Sequence, residues 1–378
     1  MKRFLIFIAA SCLFAGALQA QELANFARGG QRVVSPDVQG DSVTFRMRAD
    51  YATVVKLSGS WMTGWGGVDM RRGENNVWSI KLPLPAPEIY TYNFIVDGVS
   101  VNDPQNVMVQ RDGTRFLNMF IVDGDRTANV REASQRGTVS HPWYDSQILG
   151  INRRLTVYTP YGYEANPKTK YPVLYLLHGA GGDEEAWISM GRTAQIMDNL
   201  IEKGLAKPMI VVMPNGNPGQ SAARTLGIPE KQMDFRSPEL ANAYVRSLVE
   251  EIVPFIDKNF RTISKKASRA IAGLSMGGGH TIAASGLYPD AFDYICPLSM
   301  GAQRTDELDA RLQGIKKSGY KLYFLACGET DFLFNNAKEL DAALTANGLE
   351  HTFYVSDGGH TWPNWRLYLN VFAPLLFK

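Results

Sequence analysis

The sequence predicts an all-β sandwich followed by an α/β domain whose sheet is mostly parallel. Three observations carry that prediction. Residues 30–122 hold short β-rich runs with period-two alternation, broken by Asp-Gly, Pro and Gly clusters. From Leu155 onward, continuous apolar runs alternate with helical patterns, as strands buried on both faces of a parallel sheet do. Within that second region, Gly273-Leu274-Ser275-Met276-Gly277 stands between a short apolar stretch, Ala270 to Ala272, and a small-residue run, Gly278 to Ala284, that reads as a helix.

A chain of 378 residues is long for one domain and comfortable for two, and 45% hydrophobic with 20% charged residues is enough for two cores. The formal net charge is +2 and no basic run is present, so neither nucleic acid nor an anionic membrane is expected as a partner. Residues 1–20 have the pattern of a secretory signal peptide. Lys2-Arg3 is the positive start, Phe4 to Ala17 is apolar, and Leu18-Gln19-Ala20 ends in a small residue, with cleavage expected before Gln21. The mature protein is therefore expected in the periplasm or outside the cell. Cys12 falls inside the removed segment, leaving Cys296 and Cys327. Each closes an apolar run, so both are expected as buried thiols, with a single bridge between neighbouring strand ends as the alternative. Neither has a His or Cys at metal-ligand spacing, and no metal site is expected.

The expected sandwich strands are Val43–Met47, Val54–Leu57, Val77–Ile80, Tyr90–Phe94 and Phe120–Val122, in a module of residues 30–122. The segment Asp123 to Thr138 is charged with little apolar periodicity, and residues 123–144 read as a linker. Residues 145–378 form the α/β domain. Its buried strands are expected at Pro172–Leu177, Met209–Met213, Tyr294–Leu298 and Leu322–Ala326, and helices at Tyr244–Asp257 and Asn335–Thr345. The interval Asn215 to Leu240 is rich in Gly, Pro and Ser, and a loop of that length over a compact sheet is expected to serve a substrate site.

The Gly273–Gly277 pattern in a strand–turn–helix setting is the signature of a nucleophile elbow, in which a serine hydroxyl is exposed above a parallel sheet. A serine hydroxyl is a weak nucleophile near neutral pH, so Ser275 requires a base and a group to orient that base. Of the five histidines, only His360 both follows Ser275 and occupies a loop beyond a strand, after Thr352–Val355. The strand Lys321–Ala326 runs into Cys327-Gly328-Glu329-Thr330-Asp331, which offers Asp331 as the acid and Glu329 as the alternative. A tetrahedral oxyanion needs preorganised donors. The N–H of Met276 is one, and the loop His178-Gly179-Ala180-Gly181-Gly182 supplies the other, assigned to Ala180. That loop lacks the Lys-Ser/Thr of a phosphate-binding loop.

At Arg154–Tyr163, Tyr171–Gly179, Met213–Gly216, Gly273–Gly278 and Gly359–Trp362 the chain resembles carbohydrate esterase family one, an esterase D-like branch of the α/β-hydrolases. The resemblance covers residues 145–378. It implies a Ser–His–Asp set at Ser275, His360 and Asp331, no cofactor, and activity as a feruloyl esterase or an acetyl xylan esterase. The first region resembles the glycogen-binding-like module of carbohydrate-binding family forty-eight, an immunoglobulin-like sandwich, at Leu57–Ser60, Trp65, Trp78, Tyr90–Gly98 and Asn102–Pro104. Asn93 and Ser100 depart from its glycogen-contacting lysine and tryptophan, whereas Trp65 and Asn118 stand near two other contact positions. Trp61 and Trp65 flank a glycine-containing turn and are candidates for stacking on sugar rings.

The expected function is thus a secreted serine esterase that releases ferulate from arabinoxylan or a feruloylated oligosaccharide. Leu274, Trp362 and Trp365, with the Asn215–Leu240 loop, are expected to line its acyl slot. The alternatives are an acetyl xylan esterase, a siderophore trilactone esterase and a non-catalytic polysaccharide-binding protein.

Overall fold

The computed structural model describes residues 33–64, 66–233 and 242–378. The expected signal peptide, Trp65 and the last part of the Asn215–Leu240 loop lie outside the described residues. The chain divides into two compact units. The smaller contains the described residues up to Leu57 with Gly66–Leu84 and Phe94–Asn106; the larger contains the described residues of 58–64, Pro85–Asn93 and 107–378.

The N-terminal region is all-β and antiparallel, as its period-two runs predict. In the smaller unit, β1 (Asp37–Gln39), β2 (Ser42–Arg48), β6 (Val77–Pro83) and β5 (Arg71–Arg72) form a sheet in the order β1-β2-β6-β5. β3 (Val55–Gly59) pairs with β4 (Val68–Asp69). The end of β7 (Ile89–Val96) turns through Asp97-Gly98 into β8 (Val99–Val101). Asp97 and Gly98 both have positive φ there, 46° and 89°, as a two-residue hairpin turn requires. In the larger unit, the first half of β7 pairs with β10 (Arg115–Ile121), which pairs with β9 (Val109–Asp112).

The larger unit is organised by a nine-stranded mixed sheet. Its strands are β11 (Thr138–Ser140), β12 (Trp143–Ser146), β13 (Ile151–Thr159), β14 (Val173–Leu177), β15 (Ile210–Pro214), β16 (Arg269–Leu274), β17 (Tyr294–Leu298), β18 (Leu322–Gly328) and β19 (Thr352–Ser356). The order is β11-β13-β15-β14-β16-β17-β18-β19, with β12 also on β13; every pairing from β15 to β19 is parallel. Every residue of β14, β15 and β17 is buried, which accounts for their unbroken apolar sequence. Their side chains alternate between two cores: Val173, Tyr175 and Leu177 join one, Leu174 and Leu176 the other.

Residues 123–144, expected as a linker, carry β11 and the start of β12, both antiparallel to β13. The expected helix Tyr244–Asp257 runs as Ala243–Ser247 and Val253–Asn259, joined by a π-turn at Leu248–Ile252. Pro254 lies just beyond that turn and has no N–H to donate into an ordinary helical ladder. Cys296 and Cys327 are buried free thiols, so the bridge considered from sequence is not formed.

Candidate active site

The parallel register brings the chemistry to one edge of the sheet. Leu177, the last residue of β14, stands opposite Gly273 on β16, so the His178–Gly182 loop emerges beside Ser275. Gly328, the last residue of β18, stands opposite Ser356 on β19, so the loops bearing Asp331 and His360 also emerge together. Ligands of open α/β sheets bind at the carboxyl ends of the strands for this reason.

Ser275 has φ 53° and ψ −119°, between β16 and the helix Met276–Leu287. A residue with a Cβ adopts that conformation only at a cost of about 1–3 kcal/mol. Its neighbours hold it there. Ser275 N–H donates to the Leu298 carbonyl at 2.9 Å, and Gly279 N–H donates to the Ser275 carbonyl at 3.0 Å. The two flanking glycines are required by close approach: a Cβ on Gly273 would lie 2.3 Å from the Gly277 oxygen, and one on Gly277 2.6 Å from the Leu177 and His178 oxygens. The helix starting at Met276 leaves its first N–H groups without partners in the helix. Ala180 and Ser275 line the same cavity.

His360 Nδ1 lies 3.0 and 2.9 Å from the two carboxylate oxygens of Asp331. Asp331 is 5% exposed. Burial opposes its ionisation, but the hydrogen bonds it accepts from His360, the Leu333 N–H and Ser299 outweigh that and hold its pKa below the usual carboxylate value. Ser299 is in turn fixed by Trp365, whose Nε1 donates to its hydroxyl at 3.0 Å. Glu329, the sequence alternative, is exposed, and its backbone N–H donates to Ser356. Asn364 shapes the His360 turn by donating to the carbonyls of Asp357 and Gly359. The remaining histidines have other partners. His141 meets Thr156, His351 meets Asp341, and His280 packs on Tyr244. His178 is buried and held neutral by desolvation; its Nδ1 faces the Gly179 carbonyl while its Nε2 accepts from Gly216 N–H at 2.7 Å. It pins the start of the Gly-rich loop.

Ser275 and His360 line one cavity of about 460 Å³, with Leu274, Trp362 and Trp365. Trp362 meets Trp187 and Trp365 edge-on, at 5.3 and 5.0 Å. Trp365 is 7% exposed and stands perpendicular to the His360 ring at 5.1 Å, so it supports the histidine as well as lining the cavity. Phe332, which carries no sequence signal, covers the same imidazole at 4.5 Å while remaining 74% exposed. The Asn215–Leu240 loop was expected to line this slot. Of its described residues, Gly216–Gln220 and Glu230–Met233 line a second cavity, with Met276 and His280. The facing wall of the Ser275 cavity comes from Ser60, Ile89–Thr91, Gln110, Asp112 and Leu117.

The sugar-contact candidates divide. Trp61 lies over Gly59 and packs edge-on against Tyr90 and Phe120, at 5.5 and 5.2 Å. Asn118 is 1% exposed within β10, in the part of the strand that is buried on both faces, and is closed to a sugar ligand.

Sequence reasoning also missed the charged brace behind the Gly-rich loop. Arg111 is 6% exposed and bidentate to Asp183, at 2.8 and 2.6 Å, with Glu185 at 3.0 Å. Arg154 donates to the fully buried Glu184 at 2.7 Å and also pairs with Glu185. The two arginines lie far in sequence from the consecutive Asp183-Glu184-Glu185 they bind, and no motif joins them. Arg111→Met is expected to destabilise the protein by about 3–5 kcal/mol, because it leaves the buried Asp183 carboxylate uncompensated. Denaturant unfolding checks that value. A tenfold or greater fall in kcat, measured where the variant is still folded, is expected because Asp183 closes the loop that carries Ala180.

Residues 146–375 match the family model for esterases. Over 341 residues, 88% of this chain, the sequence is 33% identical to an endo-1,4-beta-xylanase/feruloyl esterase of Xylanibacter ruminicola. The chain spans less than half the length of the curated relatives it matches first: 44% of that protein and 19% of the endo-1,4-beta-xylanase Y of Acetivibrio thermocellus. A solved ferulic acid esterase superposes with a TM-score of 0.54 at 29% identity, covering 64% of this chain and 98% of that one. The enterobactin esterase of Shigella flexneri superposes with a TM-score of 0.63, covering 89% of this chain and 93% of that one, at 17% identity, which is a likeness of fold. The nine-stranded sheet is an α/β-hydrolase sheet, as the sequence predicts, preceded by an all-β region.

Proposed function

The chain belongs to the esterase family, and from that premise we propose that it is a serine carboxylesterase releasing ferulate or a related hydroxycinnamate from feruloylated arabinoxylan or its oligosaccharides. One observation carries the reading. A serine held in a strained elbow and a histidine bound to a buried carboxylate line a single cavity with an aromatic wall.

In this mechanism Ser275 Oγ attacks the ester carbonyl carbon while His360 Nε2 takes its proton. Asp331 keeps the other imidazole proton on Nδ1 and stabilises the imidazolium. The N–H groups of Met276 and Ala180 hold the oxyanion, each contributing about 3 kcal/mol to the transition state. The C–O bond to the sugar then breaks, and His360 returns the proton to the departing sugar oxygen. Water, deprotonated by the same histidine, releases the acid from Ser275. Trp362 and Leu274 give the acyl group an apolar seat. The relative named as a xylanase/feruloyl esterase and the superposed ferulic acid esterase support the substrate class. The sequence of residues 1–20 supports export to the periplasm or beyond.

Turnover of methyl ferulate, acetylated xylan and a trilactone siderophore, compared in one panel, tests the substrate. A kcat/KM for methyl ferulate at least tenfold above the others is expected. Preference for acetate or for the trilactone would overturn it.

A further inference from the structure

β9 carries two kinds of side chain on its two faces. Arg111 is committed to Asp183, while Gln110 and Asp112, on the other face, line the Ser275 cavity. Asp112 is partly solvated and lies 3.7 Å from Arg115. Gln110 differs. It is 8% exposed, and its side-chain oxygen Oε1 is buried with no hydrogen-bond partner. A buried acceptor left unmet is costly, so one carried by a residue that lines a cavity calls for a donor brought by the ligand. The strand that presents it is fixed: Arg111 N–H donates to Ser189 Oγ at 2.8 Å, and its guanidinium is bidentate to Asp183. The lining of the cavity includes the apolar Ile89, Leu117, Met190 and Trp362. Leu117 is its direct cross-strand partner.

We propose that Gln110 is a specificity-determining residue of the Ser275 site, its carboxamide oxygen accepting the proton of a hydroxyl on an aromatic acyl group. The inference deepens the proposed function and rests on it. A flat ring fits the apolar walls, and a ring hydroxyl supplies the one donor that the buried oxygen lacks. A site built to accept such a proton rejects the analogue without it, because the acceptor is then buried unmet.

The test compares kcat/KM for methyl 4-hydroxycinnamate, methyl cinnamate, feruloylated arabinose and methyl ferulate in the wild type and in Gln110→Met, which keeps length but has no acceptor oxygen. Turnover of 4-nitrophenyl acetate, whose acyl group has no ring, is the reference within each protein. The wild type is expected to favour the hydroxylated over the unsubstituted cinnamate at least tenfold. In Gln110→Met that ratio is expected to fall towards one. A wild type without the preference, or a variant that keeps it, overturns the proposal. So does a variant in which only the advantage of feruloylated arabinose over methyl ferulate collapses, since the hydroxyl would then belong to the sugar. Wild-type turnover of 4-nitrophenyl acetate with none of any cinnamoyl ester would bring down the hydroxycinnamate reading itself, a result distinct from the others.

Discussion

Ser275→Gly is expected to lower kcat/KM about a million-fold and to make the protein more stable, not less. The loss follows from removing the nucleophile of the proposed mechanism, which acts with its base as a unit. The gain follows from the backbone. Ser275 sits at φ 53° and ψ −119°, which a Cβ tolerates at a cost of about 1–3 kcal/mol and glycine adopts freely. Glycine also loosens the unfolded chain, which subtracts roughly 0.5–1 kcal/mol, so a net gain of about 1 kcal/mol remains. Ser275→Ala separates the two effects, because it removes the hydroxyl and keeps the Cβ. It should be as inactive as the glycine variant but no more stable than the wild type. Urea midpoints followed by tryptophan fluorescence measure the difference. A glycine variant less stable than the alanine variant would show that the elbow stores no strain. Residual turnover above about 1% in either would remove Ser275 from its proposed role.

Much of this site was legible because its parts obey local rules. The unbroken apolar runs of β14, β15 and β17 announce strands buried on both faces, and the glycines around Ser275 announce a turn too tight for side chains. His360 is singled out by chain order and a loop position, and its Nδ1 lies against Asp331. The choice between Asp331 and Glu329 was not local. Both follow β18, and only the fold buries one and exposes the other. β11 and the start of β12 leave no signal in the sequence, because short antiparallel strands beside β13 carry little apolar pattern. The facing wall of the cavity was invisible for a different reason. Gln110 and Leu117 read as ordinary strand residues, and nothing near them in sequence announces that they meet Ser275 in one cavity. The long Asn215–Leu240 loop suggested a substrate wall by length and composition, properties that do not say which side of Met276 it covers.

Asp331→Asn is expected to reduce kcat about ten-thousand-fold with little change in fold, and the hydrogen bonds around the carboxylate say why. Oδ1 accepts from the Leu333 N–H at 2.9 Å, so an asparagine keeps its oxygen there and turns its amide nitrogen toward His360. Nδ1 of His360, which faces Oδ2 at 2.9 Å in the wild type, must then accept rather than donate. The imidazole proton is driven to Nε2, and no lone pair is left for the serine proton. The wild-type carboxylate, with its pKa held below the usual value, stays ionised through the neutral range. Its contribution is present above the unfolded carboxylate pKa and is lost only as pH falls through the lowered folded value. The asparagine defect should therefore persist across the whole neutral and mildly acidic range, and a pH profile of kcat reads it directly. Glu329→Gln, at an exposed position beyond the same strand, should keep wild-type turnover. If the two variants exchanged these outcomes, the acid would be Glu329, and the buried Asp331–His360 pair would be reduced to a brace for the His360 turn.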